Sequence, residues 1–170
     1  MKPSKWLALF SAGLVAAASM SVHAAAADAI PVSGNLVRIT TTDDFSASEL
    51  TELTVLDTIG NGAVTLADST EEGELISGVY DCPAFTNLVA SWNADTPDDS
   101  SIEITARGRI SETGEWTQWL SWGVWGIGIA RGCGTPDTAR DKLAYVDTDV
   151  PALRDDSLTF DRFQLRATLR

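Results

Sequence analysis

The sequence predicts an all-β fold, an antiparallel, jelly-roll-like β-sandwich, and three observations point to it. Short runs rich in β-branched and aromatic residues recur along residues 28–170, and turn residues separate them at regular intervals. Beyond residue 27 no stretch carries the apolar period of a helix. One domain over 28–170 has the size that buries an ordinary single core, and neither an internal repeat nor a linker divides it.

Residues 1–27 stand apart. Lys2 and Lys5 precede an apolar run over 6–18, and small residues around Val22, His23 and Ala24, or Ala25 to Ala27, suit a signal peptidase. This segment reads as a secretory signal peptide: its apolar run is short for a membrane span, and no later segment is long enough to be one. Cleavage removes Lys2 and Lys5 and leaves all 24 acidic residues, so the formal charge goes from −12 to −14. A surface that acidic repels nucleic-acid phosphates and anionic lipid headgroups. The expectation is a secreted protein, extracellular or in the cell envelope, with no nucleic-acid partner and no membrane association after cleavage.

From residue 28 the chain is read in order. Residues 28–33 suit a loose mature terminus. Residues 36–40 alternate well enough for a first strand, and 41–48 are polar and acidic. Two β-rich runs at 52–56 and 63–67 flank Gly60, Asn61 and Gly62, a hairpin signal. A charged loop over 68–74 leads to a strand at 75–80. Residues 85–93 place Leu88, Ala90 and Trp92 on one face of a further strand, and 95–100 form a turn around Pro97. In 101–110, Ile102, Ile104, Ala106 and Ile110 face inward against Glu103, Thr105, Arg107 and Arg109. Residues 126–141 are glycine-rich and irregular. Strands follow at 143–150 and 157–159. In the last strand Phe163, Leu165, Ala167 and Leu169 alternate with Arg162, Gln164, Arg166 and Thr168.

Between these lies the stretch on which the functional reading turns. Residues 115–126 hold four of the six tryptophans, Trp116, Trp119, Trp122 and Trp125. Gly123 and Gly126 weaken a helix, whereas the aromatic and β-branched neighbours favour a strand. On a strand, Trp116 and Trp122 face one way and Trp119 and Trp125 the other, unless Gly123 marks a bulge that resets the alternation. One pair then belongs to the core; the other needs a cover or a ligand, and an exposed indole face offers a platform for sugar rings. These four are the candidate ligand-binding residues.

Candidate chemistry is sparse. The only histidine, His23, lies in the signal peptide, so 28–170 cannot build a Cys–His or Ser–His pair. Cys82 and Cys133 are the only cysteines, and in an oxidising compartment an isolated pair reads as one disulfide; closing so long a loop stabilises a fold by about 4 kcal/mol in the chain-entropy model. Asp95, Asp98 and Asp99, or Asp147 and Asp149, supply oxygens of the kind calcium takes, yet they lack the glycine and distal glutamate of a calcium loop and read as turn caps. A glycosidase pair could be drawn from 24 acidic residues by chance alone, so it carries little weight. Arg107, Arg109, Arg162 and Arg166 lie on outward strand faces, where an anion site competes with simple neutralisation of neighbours. No catalytic residue, metal ligand or cofactor is assigned.

Laid end to end, several motifs carry a resemblance. They are the run from Ala90 through Ser91, Trp92, Asn93, Ala94, Asp95 and Thr96 to Pro97; the alternating strand ending in arginines; Trp116, Thr117, Trp119, Ser121, Trp122, Gly123 and Trp125; Val146 to Asp149; and Phe163 to Leu169. In order and spacing they resemble the N-terminal β-sandwich region of secreted bacterial C39-like peptidases. In that family the sandwich precedes a papain-like peptidase domain whose catalytic cysteine and histidine lie farther along, and no position of this sequence matches them. The resemblance implies a secreted accessory sandwich that engages a cell-wall glycan or an extracellular protein surface. Its alternative form is the accessory region of a cysteine peptidase whose catalytic domain is not in this chain. Either way the expectation is a non-enzyme.

Overall fold

A computed structural model describes residues 28–58, 61–129 and 140–170. Residues 1–27, read above as a signal peptide, therefore lie outside the described residues. Among the described residues eleven strands and one short helix are formed: β1 (Ile30–Pro31), α1 (Thr42–Ser46), β2 (Glu49–Thr51), β3 (Leu53–Thr58), β4 (Asn61–Leu66), β5 (Gly73–Ile76), β6 (Tyr80–Phe85), β7 (Ile102–Ile110), β8 (Leu120–Trp125), β9 (Ala144–Asp147), β10 (Val150–Leu153) and β11 (Phe160–Leu169).

The chain is all-β and mostly antiparallel. Seven strands form the main sheet, with β11 at its centre. One edge of β11 pairs with β7 from Phe160 opposite Ile110 to Leu169 opposite Ile102, and β8 lies outside β7. The other edge of β11 is shared by two strands laid end to end. Its second half pairs with β5 and its first half with β6. At the break between them, Ser77 donates its amide to the Leu165 carbonyl and accepts the Leu165 amide on its hydroxyl, both at 2.9 Å. The outermost strands are β2, antiparallel to β5, and β1, parallel to β6. Two hairpins, β3–β4 and β9–β10, complete the set. The pairings establish the all-β antiparallel class without tracing a jelly-roll path. The layer over the sheet's apolar face is the β9–β10 hairpin with the extended segment 86–99, which joins a ladder at only one bridge, Asn87 to Ala152.

Two buried clusters fill the interface. Ile110, Leu120, Ala144, Leu153 and Phe160 form one, against Phe85, Leu143, Val146 and Leu158. Ile104, Ala106 and Trp122 form the other, against Leu88, Ala90, Trp92, Leu165 and Ala167. The alternation expected in 101–110 and 162–169 is therefore present.

Several expected elements differ. Residues 36–40 join no ladder, although the Thr40 carbonyl accepts the Gly62 amide of β4 at 2.8 Å, and Leu36 is 63% exposed: alternation alone does not make a strand. Residues 28–33 are not loose throughout, because β1 pairs with β6. The segment 85–93 keeps its predicted facing, Leu88, Ala90 and Trp92 inward and Val89 72% exposed, but only Phe85, the end of β6, joins the sheet, and the rest covers it. The expected strand at 143–150 is the hairpin β9–β10. Residues 157–159 form no strand, as Asp155 holds the Ser157 amide at 3.0 Å and hydroxyl at 2.6 Å in a turn before β11. The β3–β4 hairpin forms, but Asn61 and Gly62 belong to its second strand, and residues 59–60 lie outside the described residues. Gly62 is needed there: a Cβ on it would lie 2.4 Å from the Thr42 amide nitrogen.

The short helix α1 was not expected. Thr41 accepts the Asp44 amide at 3.1 Å and Asp44 accepts the Thr41 amide at 2.9 Å, a capping box that stabilises one turn in a stretch whose composition looked merely acidic. The Thr40 amide, at 3.0 Å, and the Thr41 amide both donate to the Asp44 carboxylate and hold it below its ordinary range.

Candidate functional site

The tryptophan stretch is divided by one glycine. Only 120–125 of it is strand, and Gly123, at φ +91°, forms a bulge: Thr105 pairs with Ser121 while Glu103 pairs with Val124, so Trp122 and Gly123 share one place opposite Ile104. The alternation is reset there, as the glycine foreshadowed. Leu120, Trp122 and Trp125 all turn toward the apolar face, whereas Trp116 and Trp119 lie on the opposite, polar face.

Trp122 is core. It is 2% exposed, and its indole N–H donates to the Asp149 carbonyl at 2.7 Å, tying the sheet to the β9–β10 turn. That turn holds Thr148 at φ 45° and Asp149 at φ 68°, the paired positive values of a two-residue type I′ hairpin. A ligand platform at Trp122 is ruled out by burial.

Trp125 has a different role. Its indole N–H donates to the Trp122 carbonyl at 2.9 Å, and its ring meets Trp92 edge to face, centroids 5.7 Å apart. The two indoles line an open cleft of about 350 Å³ with Asn93, Thr96, Ile102 and Ile127. Thr96 fixes one wall by accepting the Ile127 amide at 3.2 Å, and the Ile127 side chain is 82% exposed beside it. The sequence does not pair Trp92 with Trp125: Trp92 falls on an apolar face of its segment, but which tryptophan pair of 115–126 faces inward is left open by the alternation.

Trp116 and Trp119 meet arginines instead. Arg107 lies 5.0 Å from the Trp116 ring centre and 4.8 Å from that of Trp119, and Arg166 lies 4.8 Å from Trp119. Contacts thus run in a file, Trp116, Arg107, Trp119, Arg166. Guanidinium groups therefore cover part of the indole surface of both residues, which leaves less of it for a sugar ring.

The other arginines of this face are paired. Arg109 forms a fork on Asp161, with Nε to Oδ1 at 2.9 Å, and this holds the Asp161 carboxyl below its ordinary range. Arg162 meets Asp81 at 2.8 Å, and Arg166 faces Glu74 at 3.7 Å while donating to the Thr105 hydroxyl at 3.1 Å. Neutralisation of neighbours accounts for these three.

Among the described residues no three His, Cys, Asp or Glu side chains converge as a metal site would require. Asp98, at φ 53°, sits in the turn where Ser100 donates to the Pro97 carbonyl at 3.0 Å, and Asp147 accepts the Thr148 hydroxyl at 3.2 Å. Cys82 lies half-buried on β6, where burial and the nearby Asp81 carboxylate push its thiol up, away from nucleophilic use. Cys133, the other half of the expected disulfide, lies outside the described residues. No helix among the described residues is long and apolar enough to cross a membrane.

With this geometry in place, the comparison with known families is decisive. Residues 35–170 match the family described as the Peptidase C39 N-terminal domain. The chain belongs to that family. The match takes in both faces of the main sheet, the cleft and the arginine file, and it reaches well beyond the second-half motifs that carried the resemblance. What the family description covers is the N-terminal domain of these peptidases, an accessory region. No curated protein and no solved structure matches the chain.

Proposed function

We propose that this Peptidase C39 N-terminal domain is a secreted, non-catalytic binding domain that holds an extracellular or cell-wall glycan in the Trp92–Trp125 cleft. The observation that supports it is the cleft itself. Two indoles set edge to face give apolar walls, Asn93 and Thr96 give polar groups at the rim, and a sugar ring presents the matching pair of surfaces, an apolar C–H face and a hydroxyl edge. A volume of about 350 Å³ is at the small end for ligand sites and suits one or two sugar units of a longer chain. The absence of histidine from 28–170 and the raised Cys82 thiol both favour work by contact over turnover.

The test is titration of the mature protein with cell-wall polysaccharides, followed by tryptophan fluorescence. A saturable change is expected with at least one glycan. It should weaken at least about tenfold in Trp125→Ala and more mildly in Asn93→Ala, while Trp116→Ala leaves it unchanged. Saturable binding of an extracellular protein at the same cleft, with no glycan bound, would replace the glycan by a protein partner. No response to any glycan, or turnover abolished by a single substitution, would overturn the reading.

A further inference from the structure

Arg107 differs from its three neighbours on the polar face of the sheet. Its Nε and one Nη2 hydrogen both go to a single oxygen, Gln164 Oε1, at 3.0 and 2.6 Å. Gln164 is itself anchored, donating from Nε2 to the Ser77 carbonyl at 2.7 Å. A guanidinium carries five N–H donors, so three on Arg107 have no hydrogen-bond partner among the described residues. Among the described residues no carboxylate pairs with it, although the sequence carries 24 acidic side chains. The charge that bears on it most is of its own sign: Arg166, across the Trp119 ring.

Such an arrangement costs stability unless something else is gained. Half-burial and the Arg166 charge both disfavour the Arg107 cation. The indoles of Trp116 and Trp119 hold the group rigid, so little side-chain freedom remains to be lost when a ligand arrives. A fork of fixed N–H groups, beside a second guanidinium, is the geometry that receives an oxyanion through two parallel hydrogen bonds. A carboxylate-paired guanidinium would stack on the two indoles equally well, so the stack alone does not account for the missing carboxylate.

We infer that Arg107, backed by Arg166 and held between Trp116 and Trp119, is a subsite for an oxyanion, the carboxylate or phosphate group of a ligand reaching the polar face of the sheet. It lies across the sheet from the Trp92–Trp125 cleft and does not depend on it. Either binding can therefore fail without the other.

The test uses the mature protein labelled with ¹⁵N. Arginine Nε–H and indole N–H signals are followed while sodium phosphate, sodium glucuronate or sodium chloride is added at constant ionic strength. Saturable shifts of the Arg107 and Trp119 signals are expected with phosphate or glucuronate, in the millimolar range usual for one small anion, and none with chloride. The stronger of the two assigns phosphate or carboxylate as the natural group. Arg107→Gln should weaken the response at least about tenfold, and Arg107→Lys, which keeps the charge without the fork, by less. Should Arg107→Gln not fold, Arg166→Gln serves instead, with a loss of about threefold or more. Equal shifts with chloride, no saturation with either oxyanion, or an unchanged response in a folded Arg107→Gln protein would overturn the subsite.

Discussion

Replacement of Trp122 by alanine tests the packing on which both faces of the sheet depend. The side chain is 2% exposed and packs with Ile104 and Ala106, with Leu88, Trp92 and Leu165 around them. Deleting a fully buried indole costs about 3–5 kcal/mol through lost transfer energy and the void left behind. The bond to the Asp149 carbonyl adds about 1 kcal/mol where the turn cannot relax. Trp122→Phe keeps much of the packing and loses the N–H, so it should cost about 1–2 kcal/mol. Against a total stability of about 5–15 kcal/mol the alanine change is severe. With a urea slope of about 1.5–2 kcal/mol/M it should move the unfolding midpoint down by about 2 M. Far-UV circular dichroism is the readout, since fluorescence is altered by the substitution itself. A loss under about 1 kcal/mol for Trp122→Ala, with the slope unchanged, would refute the assignment of Trp122 as the central core residue.

Three further outcomes are expected. Thr148→Asn should stabilise the protein by about 0.5–1 kcal/mol in urea unfolding, because asparagine tolerates the positive φ of a type I′ turn better than a β-branched residue; a loss would mean the turn is not of that kind. Asp161→Asn should cost about 1 kcal/mol at neutral pH by removing the Arg109 fork. The Asp161 carboxyl titrates lower in the folded state, so its contribution is complete above the unfolded value of about 3.9 and disappears as pH falls through the folded value. The gap between the two proteins should therefore be flat from neutral pH to about pH 5 and close at acid pH, and a gap that persists at pH 2 would exclude the ion pair as its source. Cys82 stands as a free thiol on β6, so protein purified without reductant should be labelled there by a thiol reagent in urea; no label before reduction and two after it would establish a Cys82–Cys133 bridge instead.

What the sequence made legible follows from where the physics is local. Alternation in 101–110 and 162–169 specified which side chains of β7 and β11 face the core, because a half-buried strand writes its facing into every second residue. The bulge was legible in Gly123 for the same reason, since a positive φ there requires glycine. Family membership was visible in the order of the second-half motifs. Pairing partners were not legible: the pattern Leu88, Ala90, Trp92 is the same whether the segment joins a ladder or lies across a sheet, and only tertiary context decides. The sites were hidden in the same way. Trp92 and Trp125 are far apart in sequence, and whether Trp119 presents a bare ring or one covered by Arg107 and Arg166 depends on which strands lie beside it.

The position of β11 has a consequence for how the domain is made. This strand is synthesised after all the others, yet β5, β6 and β7 have no shared neighbour without it. Until 160–169 emerges, the earlier strands lack their common template, and the long-range pairings that remain are slow to form. A nascent chain of this kind condenses late, once 160–169 has joined the sheet.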